Sequence, residues 1–232
     1  MLCIAKSTFY KYARLLGLTR RFPKAVQKRI GLRALAPNQF LHVDTTHWDV
    51  GPDQRFSIAI VSDNFSKAVL GWSISTRKYA ANVIGALQQA MTTVRHLHPT
   101  LANTTLVADG GGENHAGTVA EMLVNSRRPT ITKVIAQEDI SFSNSPIEAI
   151  NKILKRYLRY HRPGTESALR EVVAYALNDY TNARPHGSLD GLTPLERYTR
   201  PELKLDHRGP MALARTLRIA SNRGEGCGAC DQ

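Results

Sequence analysis

From Phe40 to Ile74 the pattern of hydrophobic and polar positions is strand-like, alternating in the first stretch and more continuously apolar in the second, with two short polar breaks. Strands are predicted over 40–48, 56–62 and 68–74, joined at Gly51-Pro52-Asp53-Gln54 and at Asp63-Asn64, which makes an antiparallel three-strand meander. From Tyr79 the period becomes helical, with Val83, Ile84, Leu87, Ala90, Met91 and Val94 on one stripe as far as about His96. Short buried strands follow over 104–108 and 133–136, separated by a helix over 116–125. A further helix starts at Ser145, read as a cap with Pro146 first and Glu148 third, and runs to about His161 before Pro163-Gly164. A helix over 165–181 comes next, and Thr193-Pro194-Leu195-Glu196 is a second capping box. Ahead of the meander, Ser7 is a candidate cap for a short helix over 8–16 closed by Gly17. The order predicts an α/β fold, a mixed five-stranded sheet covered by helices on both faces.

One position breaks the pattern of the first strand. Alternation sets Leu41, Val43 and Thr45 on one face and Phe40, His42 and Asp44 on the other, so a carboxylate sits mid-strand where acidic residues are depleted. Burying it is costly unless it is paired with a cation. Either a neighbouring Arg or Lys or a bound metal meets that need.

Charge narrows the partners. The 232 residues carry a formal charge of +12, and nine of the first 40 are Lys or Arg with no acid among them. That balance favours a polyanion, nucleic acid before a membrane surface. No apolar run is long enough to span a bilayer and no secretory signal is visible, so a cytoplasmic protein is expected. Cys3, Cys227 and Cys230 are too few and too terminal for a disulfide framework. The Cys227-Gly228-Ala229-Cys230 pair is a weak zinc half-site in a Gly-rich tail.

Two further acids fall where chemistry collects. Asp109 closes a buried strand ahead of Gly110-Gly111-Gly112, and Glu148 enters from a helix start. Each has an ordinary alternative, an Asp-Gly turn and a capping-box glutamate. Together with Asp44 they are the set a two-metal phosphoryl-transfer site requires, and hard oxygen donors select Mg²⁺ or Mn²⁺. Lys152 and Lys155, four and seven residues after Glu148, share its helix face and suit a phosphate backbone. His47 is a lesser candidate, while Asp49, Asp53, Asp63 and Glu113 need no role at the site.

Three segments carry a family resemblance. His42-Val43-Asp44-Thr45-Thr46, Val107-Ala108-Asp109-Gly110-Gly111-Gly112-Glu113-Asn114 and Asn144-Ser145-Pro146-Ile147-Glu148 through Lys155 resemble the acidic motifs of DDE transposases of bacterial insertion sequences, which have a retroviral-integrase-like core. The 39-residue spacing from Asp109 to Glu148 is similar to that family's, as is the closing segment 182–194. The resemblance covers about 38–198. It implies a ribonuclease H-like fold, a catalytic and metal-binding triad of Asp44, Asp109 and Glu148, and two Mg²⁺ or Mn²⁺ ions without a nucleotide cofactor. It also implies DNA contacts at Asn144, Lys152, Lys155, Arg184 and His186, and a homo-oligomer assembled on transposon ends and target.

The expected organisation is a basic arm over 1–37, a remnant of a helix-turn-helix region; a core over 38–200; and a poorly ordered tail over 201–232. The expected activity is Mg²⁺-dependent strand cleavage followed by strand transfer. A nuclease of the same fold that never joins, and a truncated, non-catalytic DNA-binding remnant, are the alternatives. Three glycines after Asp109 and a short N-terminal region depart from the family pattern.

Overall fold

The computed structural model describes residues 5–18, 31–52, 54–76, 79–110, 129–136, 138–139 and 144–205, with isolated helical positions at 119, 123 and between 213 and 221. The chain divides into two units, Gly31–Lys204 and a second made of Met1–Ile30 with Leu205–Gln232. In the second unit the described helix α1 spans Lys6–Leu15. Its N-cap is Ala5, without a side-chain cap, so Ser7 lies inside the first turn rather than at the cap. Gly17, at φ +69°, takes the left-handed conformation that ends it.

The larger unit holds β1 (Phe40–Asp49), β2 (Arg55–Asp63), β3 (Val69–Ser75), α2 (Tyr79–Leu97), β4 (Asn103–Ala108), β5 (Thr130–Ile135), α3 (Ser145–His161), α4 (Glu166–Asn178) and α5 (Pro194–Thr199). The sheet order is β3-β2-β1-β4-β5, with β1–β2 and β2–β3 antiparallel and β1–β4 and β4–β5 parallel. The predicted mixed five-stranded sheet is therefore observed. The helix expected over 116–125 lies mostly outside the described residues, though Val119 and Leu123 are helical and buried.

Alternation on β1 divides the core. Leu41 and Val43 join Val61, Leu106 and the α2 stripe of Val83, Leu87, Ala90, Met91 and Val94. On the other face Phe56, Ile58 and Ile60 of β2 pack against Ile147, Ile150, Leu154 and Leu158 of α3 and Leu169, Val173 and Leu177 of α4. Burying these side chains from both faces is the main stabilising term. Helix α2 crosses β3 closely. A Cβ on Gly71 would fall into the Ala86 carbonyl and 2.5 Å from the Ala90 amide nitrogen.

Polar hydrogen bonds tie down the start of β1. Asn38, buried at φ 63°, donates its amide to Asp63 Oδ1 at 2.8 Å and accepts at its carbonyl from Thr104 Oγ1 at 2.6 Å. The Tyr198 hydroxyl of α5 donates to Asn38 Oδ1 at 2.6 Å. Asp63 also accepts from the Ser66 amide and hydroxyl, the local turn role expected of it, while burial raises its pKa. On the outer edge of the sheet, the Val69 amide donates to Thr181 Oγ1 and the Trp72 amide to Gln89 Oε1.

The helix ends partly differ from expectation. Thr193 and Glu196 form the predicted capping box. Helix α4 takes Thr165 as its cap and passes into a π turn at Asp179–Ala183. At α3 the cap is Asn144, not Ser145; Asn144 makes no side-chain cap bond, and Glu148 is one residue too late for a capping box.

Candidate active site

Asp44 is the sixth-from-last residue of β1, and its strand is the middle one of the five. The parallel β1–β4 ladder pairs Phe40 with Thr105, Leu41 with Leu106 and His42 with Val107. Two residues beyond that last pair, the same register brings Asp44 level with Asp109, at the C-terminal end of β4. Asp109 is half-buried, and Glu148, in the first turn of α3, is exposed. The three acids thus come from a central strand, the end of its parallel neighbour and a helix start.

Their charges interact. The Asp44 carboxyl is pushed up to about 6, first by burial and then by Asp109, with a smaller push from Glu148. Two hydrogen bonds pull the other way. The Thr45 amide donates to Asp44 Oδ1 at 2.8 Å, and Asn151 Nδ2 of α3 donates to Oδ2 at 2.7 Å. Asn151 follows Glu148 by three residues, one helical turn on, so a single helix face carries both the third acid and the donor that orients the first. Helical spacing could have revealed Asn151 in the sequence; it was not among the expected site residues.

His42 is the second unanticipated member. It is fully buried on β1, two residues before Asp44 and on the same face. Asn144 Nδ2 donates to the Val43 carbonyl at 2.9 Å, which fixes that amide's orientation and leaves Oδ1 to accept from His42 Nδ1 at 2.6 Å. Asn64 Oδ1 accepts from the Ala34 amide, so its Nδ2 donates to His42 Nε2 at 2.7 Å. The imidazole is therefore held neutral with its proton on Nδ1. Burial is the main reason its pKa falls to about 4. The Asn144 side chain is turned inward to these partners and makes no cap bond.

The other expected residues divide. Lys152 is exposed and Lys155 half-buried, in line with Glu148 on α3, and Arg159 extends the same stripe by another turn. Arg184 pairs with Asp179 at 2.9 Å and lies over the Tyr157 ring. His186 is half-buried with Nε2 3.3 Å from the Tyr180 carbonyl. Among the described residues, no three His, Cys, Asp or Glu stand close enough to hold a metal ion together. Cys3, Cys227, Cys230, Glu113 and Asp53 lie outside the described residues.

Comparison with known proteins bears on this arrangement. Residues 132–194, which run from β5 to the start of α5, match the family model described as integrase core domain. A chain of the simian T-cell lymphotropic virus intasome in complex with PP2A regulatory subunit B56 gamma superposes with a TM-score of 0.61 at 18% identity, over 79% of this chain. The core fold is integrase-like. The mixed sheet in the order β3-β2-β1-β4-β5 matches the ribonuclease H-like fold of such cores. The present chain spans 63% of the intasome chain's length. The catalytic core domain of BIV integrase also matches, with a TM-score of 0.49 at 19% identity, over 71% of this chain and 96% of that one. No curated protein matches the sequence.

Proposed function

We propose that the chain is a DNA transposase of the bacterial insertion-sequence kind, a metal-dependent polynucleotidyl transferase that cuts transposon ends and joins them to target DNA. The observation that carries this reading is the placement of Asp44 on β1 level with Asp109, the residue after its parallel neighbour β4, beneath a helix that presents Glu148 and Asn151. An integrase-like core supports it.

The donor set suits Mg²⁺ or Mn²⁺. Three carboxylates supply hard oxygens, and the Asn151 Oδ1 beside Asp44 is buried with no hydrogen-bond partner. Burial first, and the neighbouring Asp109 and Glu148 charges after it, hold the Asp44 pKa up, and a bound cation would offset both. Asp44, Asp109 and Glu148, which as placed do not stand close enough to share one ion, are the residues that would hold two such ions on drawing together, and bound ions would supply Lewis-acid stabilisation of the phosphoryl oxygens. Asn151 keeps the Asp44 carboxylate turned toward α3, and the Asn144–His42 bonds set where that helix begins. Lys152, Lys155 and Arg159 line up to hold the DNA backbone by its phosphates. The chemistry is hydrolysis of a phosphodiester to free a 3′-hydroxyl, then attack of that hydroxyl on a target phosphodiester, which releases the target's own 3′-hydroxyl. No nucleotide cofactor is needed.

Within this reading residues 1–37 serve as a basic arm, 38–200 as the catalytic core and 201–232 as a tail, and the enzyme acts in the cytoplasm as a homo-oligomer on DNA. The test is a strand-cleavage and strand-transfer assay with Mg²⁺ on the full chain and on Asp44→Asn, Asp109→Asn and Glu148→Gln. Loss of both steps in every variant, with DNA affinity retained, is expected. Cleavage of DNA without joining of pre-cut ends would instead make it a nuclease. Salt-sensitive DNA binding without metal-dependent chemistry would make it a non-catalytic binding protein.

A further inference from the structure

An aromatic and basic cleft lies on the larger unit beyond the acids, where α3 runs beside α4. Its wall is Tyr157, Tyr160 and His161 of α3, Tyr175 of α4, and the guanidinium groups of Arg156 and Arg184, around a volume of about 420 Å³. The rings form one cluster. Tyr157 and His161 are nearly parallel at 12° with centroids 6.4 Å apart, and Tyr175 meets both edge-on at 6.0 and 6.3 Å. Tyr160 meets His161 edge-on at 5.0 Å.

The cluster is fixed from below and open above. The Tyr157 hydroxyl donates to Asp179 Oδ2 at 2.6 Å and accepts from Arg184, whose guanidinium covers the ring. Tyr160 and Tyr175, by contrast, are 82% and 58% exposed. Exposed ring faces next to cations suit a partner that is flat, aromatic and anionic at its edge.

We propose that this cleft is a second nucleic-acid contact of the enzyme, taking unpaired bases of a DNA strand onto the tyrosine rings while Arg156 and the adjacent stripe of Lys152, Lys155 and Arg159 hold its phosphates. The proposal rests on the reading of the chain as a DNA-processing enzyme. Stacked bases inside a duplex cannot reach such rings, whereas an unpaired base offers a π-face of any sequence. Position agrees with this. Tyr160 lies 12 residues along α3 from Glu148, about 18 Å at the helical rise and about a third of a turn around the helix, with Arg156 between the two faces, a span of roughly five nucleotides at duplex spacing along one strand. The basic stripe runs the whole way between them. A second copy of this chain docked by the same face would bring two cationic clefts together.

The experiment is fluorescence anisotropy of the full chain with a labelled thymidine strand of about 20 nucleotides, an abasic strand of equal length and a duplex. The Tyr160→Ala/Tyr175→Ala variant should bind the thymidine strand about tenfold more weakly or worse, with abasic-strand and duplex affinities within about twofold of wild type. The Tyr160→Phe/Tyr175→Phe variant should restore the loss. Because both rings are exposed the melting temperature should not change, and Tyr160→Ala alone gives the same readout if the double variant melts low. Unaltered thymidine-strand affinity, or equal loss for all three ligands, overturns the proposal. So does a wild-type dimer that the alanine variant dissociates while strand affinity stays the same. Failure of the catalytic reading is seen separately, as cleavage that survives Asp44→Asn.

Discussion

His42 on β1 and Asn144 at the head of α3 are joined by a 2.6 Å hydrogen bond across 102 residues of chain. The same Asn144 side chain reaches the Val43 carbonyl, so the helix that carries Glu148 is pinned to the strand that carries Asp44 one residue from that acid. A hydrogen bond of this kind fixes register more than it adds net stability.

Replacing Asn144 with Ala would strand a buried imidazole N–H and a β1 carbonyl. Each orphaned group costs about 1–3 kcal/mol, so a loss of about 2–4 kcal/mol in urea unfolding is expected. Under the proposed function strand transfer should fall more steeply than DNA affinity. An Asn144→Ala protein as stable as wild type would show that the pin carries nothing.

Asp44 and His42 respond to pH in opposite senses. Asp44 has a folded pKa above its ordinary value, so its contribution is fully present below about 3.8 and is lost as pH rises through about 6. His42 has a depressed pKa, so its contribution is present above 6.5 and is lost as pH falls through about 4. The two offset each other between those limits. Asp44→Asn removes one side of the balance. Without added metal it should be more stable than wild type at pH 8 by about 1–2 kcal/mol, allowing for partial solvent screening. That corresponds to about 3–6 °C in melting temperature. The gain should shrink to nothing by pH 4. A gain independent of pH would remove the carboxylate's ionisation as its cause.

Divalent ions give a complementary measurement. Mg²⁺ at about 100 times its dissociation constant should stabilise the wild-type protein at pH 8 by roughly 2–3 kcal/mol. The effect should fade below about pH 6, where Asp44 takes up a proton, and should be much reduced in Asp44→Asn. An equal Mg²⁺ shift in wild type and Asp44→Asn would place the ion elsewhere.

Gly71→Ala tests the packing of α2 on the sheet. The added methyl meets backbone rather than a movable side chain, so helix and strand must separate. A loss of about 2–3 kcal/mol is expected by thermal or urea unfolding.

The strands were legible where apolar alternation is strong. The predicted limits of the meander fall within about a residue of β1, β2 and β3. The strand expected over 133–136 begins three residues earlier, because Thr130 and Thr132 face solvent and blur the period of an edge strand. Ser145 has the sequence of a cap, yet Asn144 takes that position because His42 and Val43 draw its side chain inward. Local pattern singled out Asp44, Asp109 and Glu148 one at a time as candidates. Bringing Asp44 level with Asp109 depends on strand order, which is a long-range property. His42 gave no signal, since a polar residue in an apolar strand reads alike whether it binds a ligand or two asparagines.

The side chains of Thr181 and Gln89 already occupy two outward amides of β3. A neighbouring strand therefore finds that margin of the sheet partly taken, and extending the sheet from one molecule into the next is disfavoured there. Of the two margins of the sheet, this one is the less open to a strand from another molecule, and β5 forms the other.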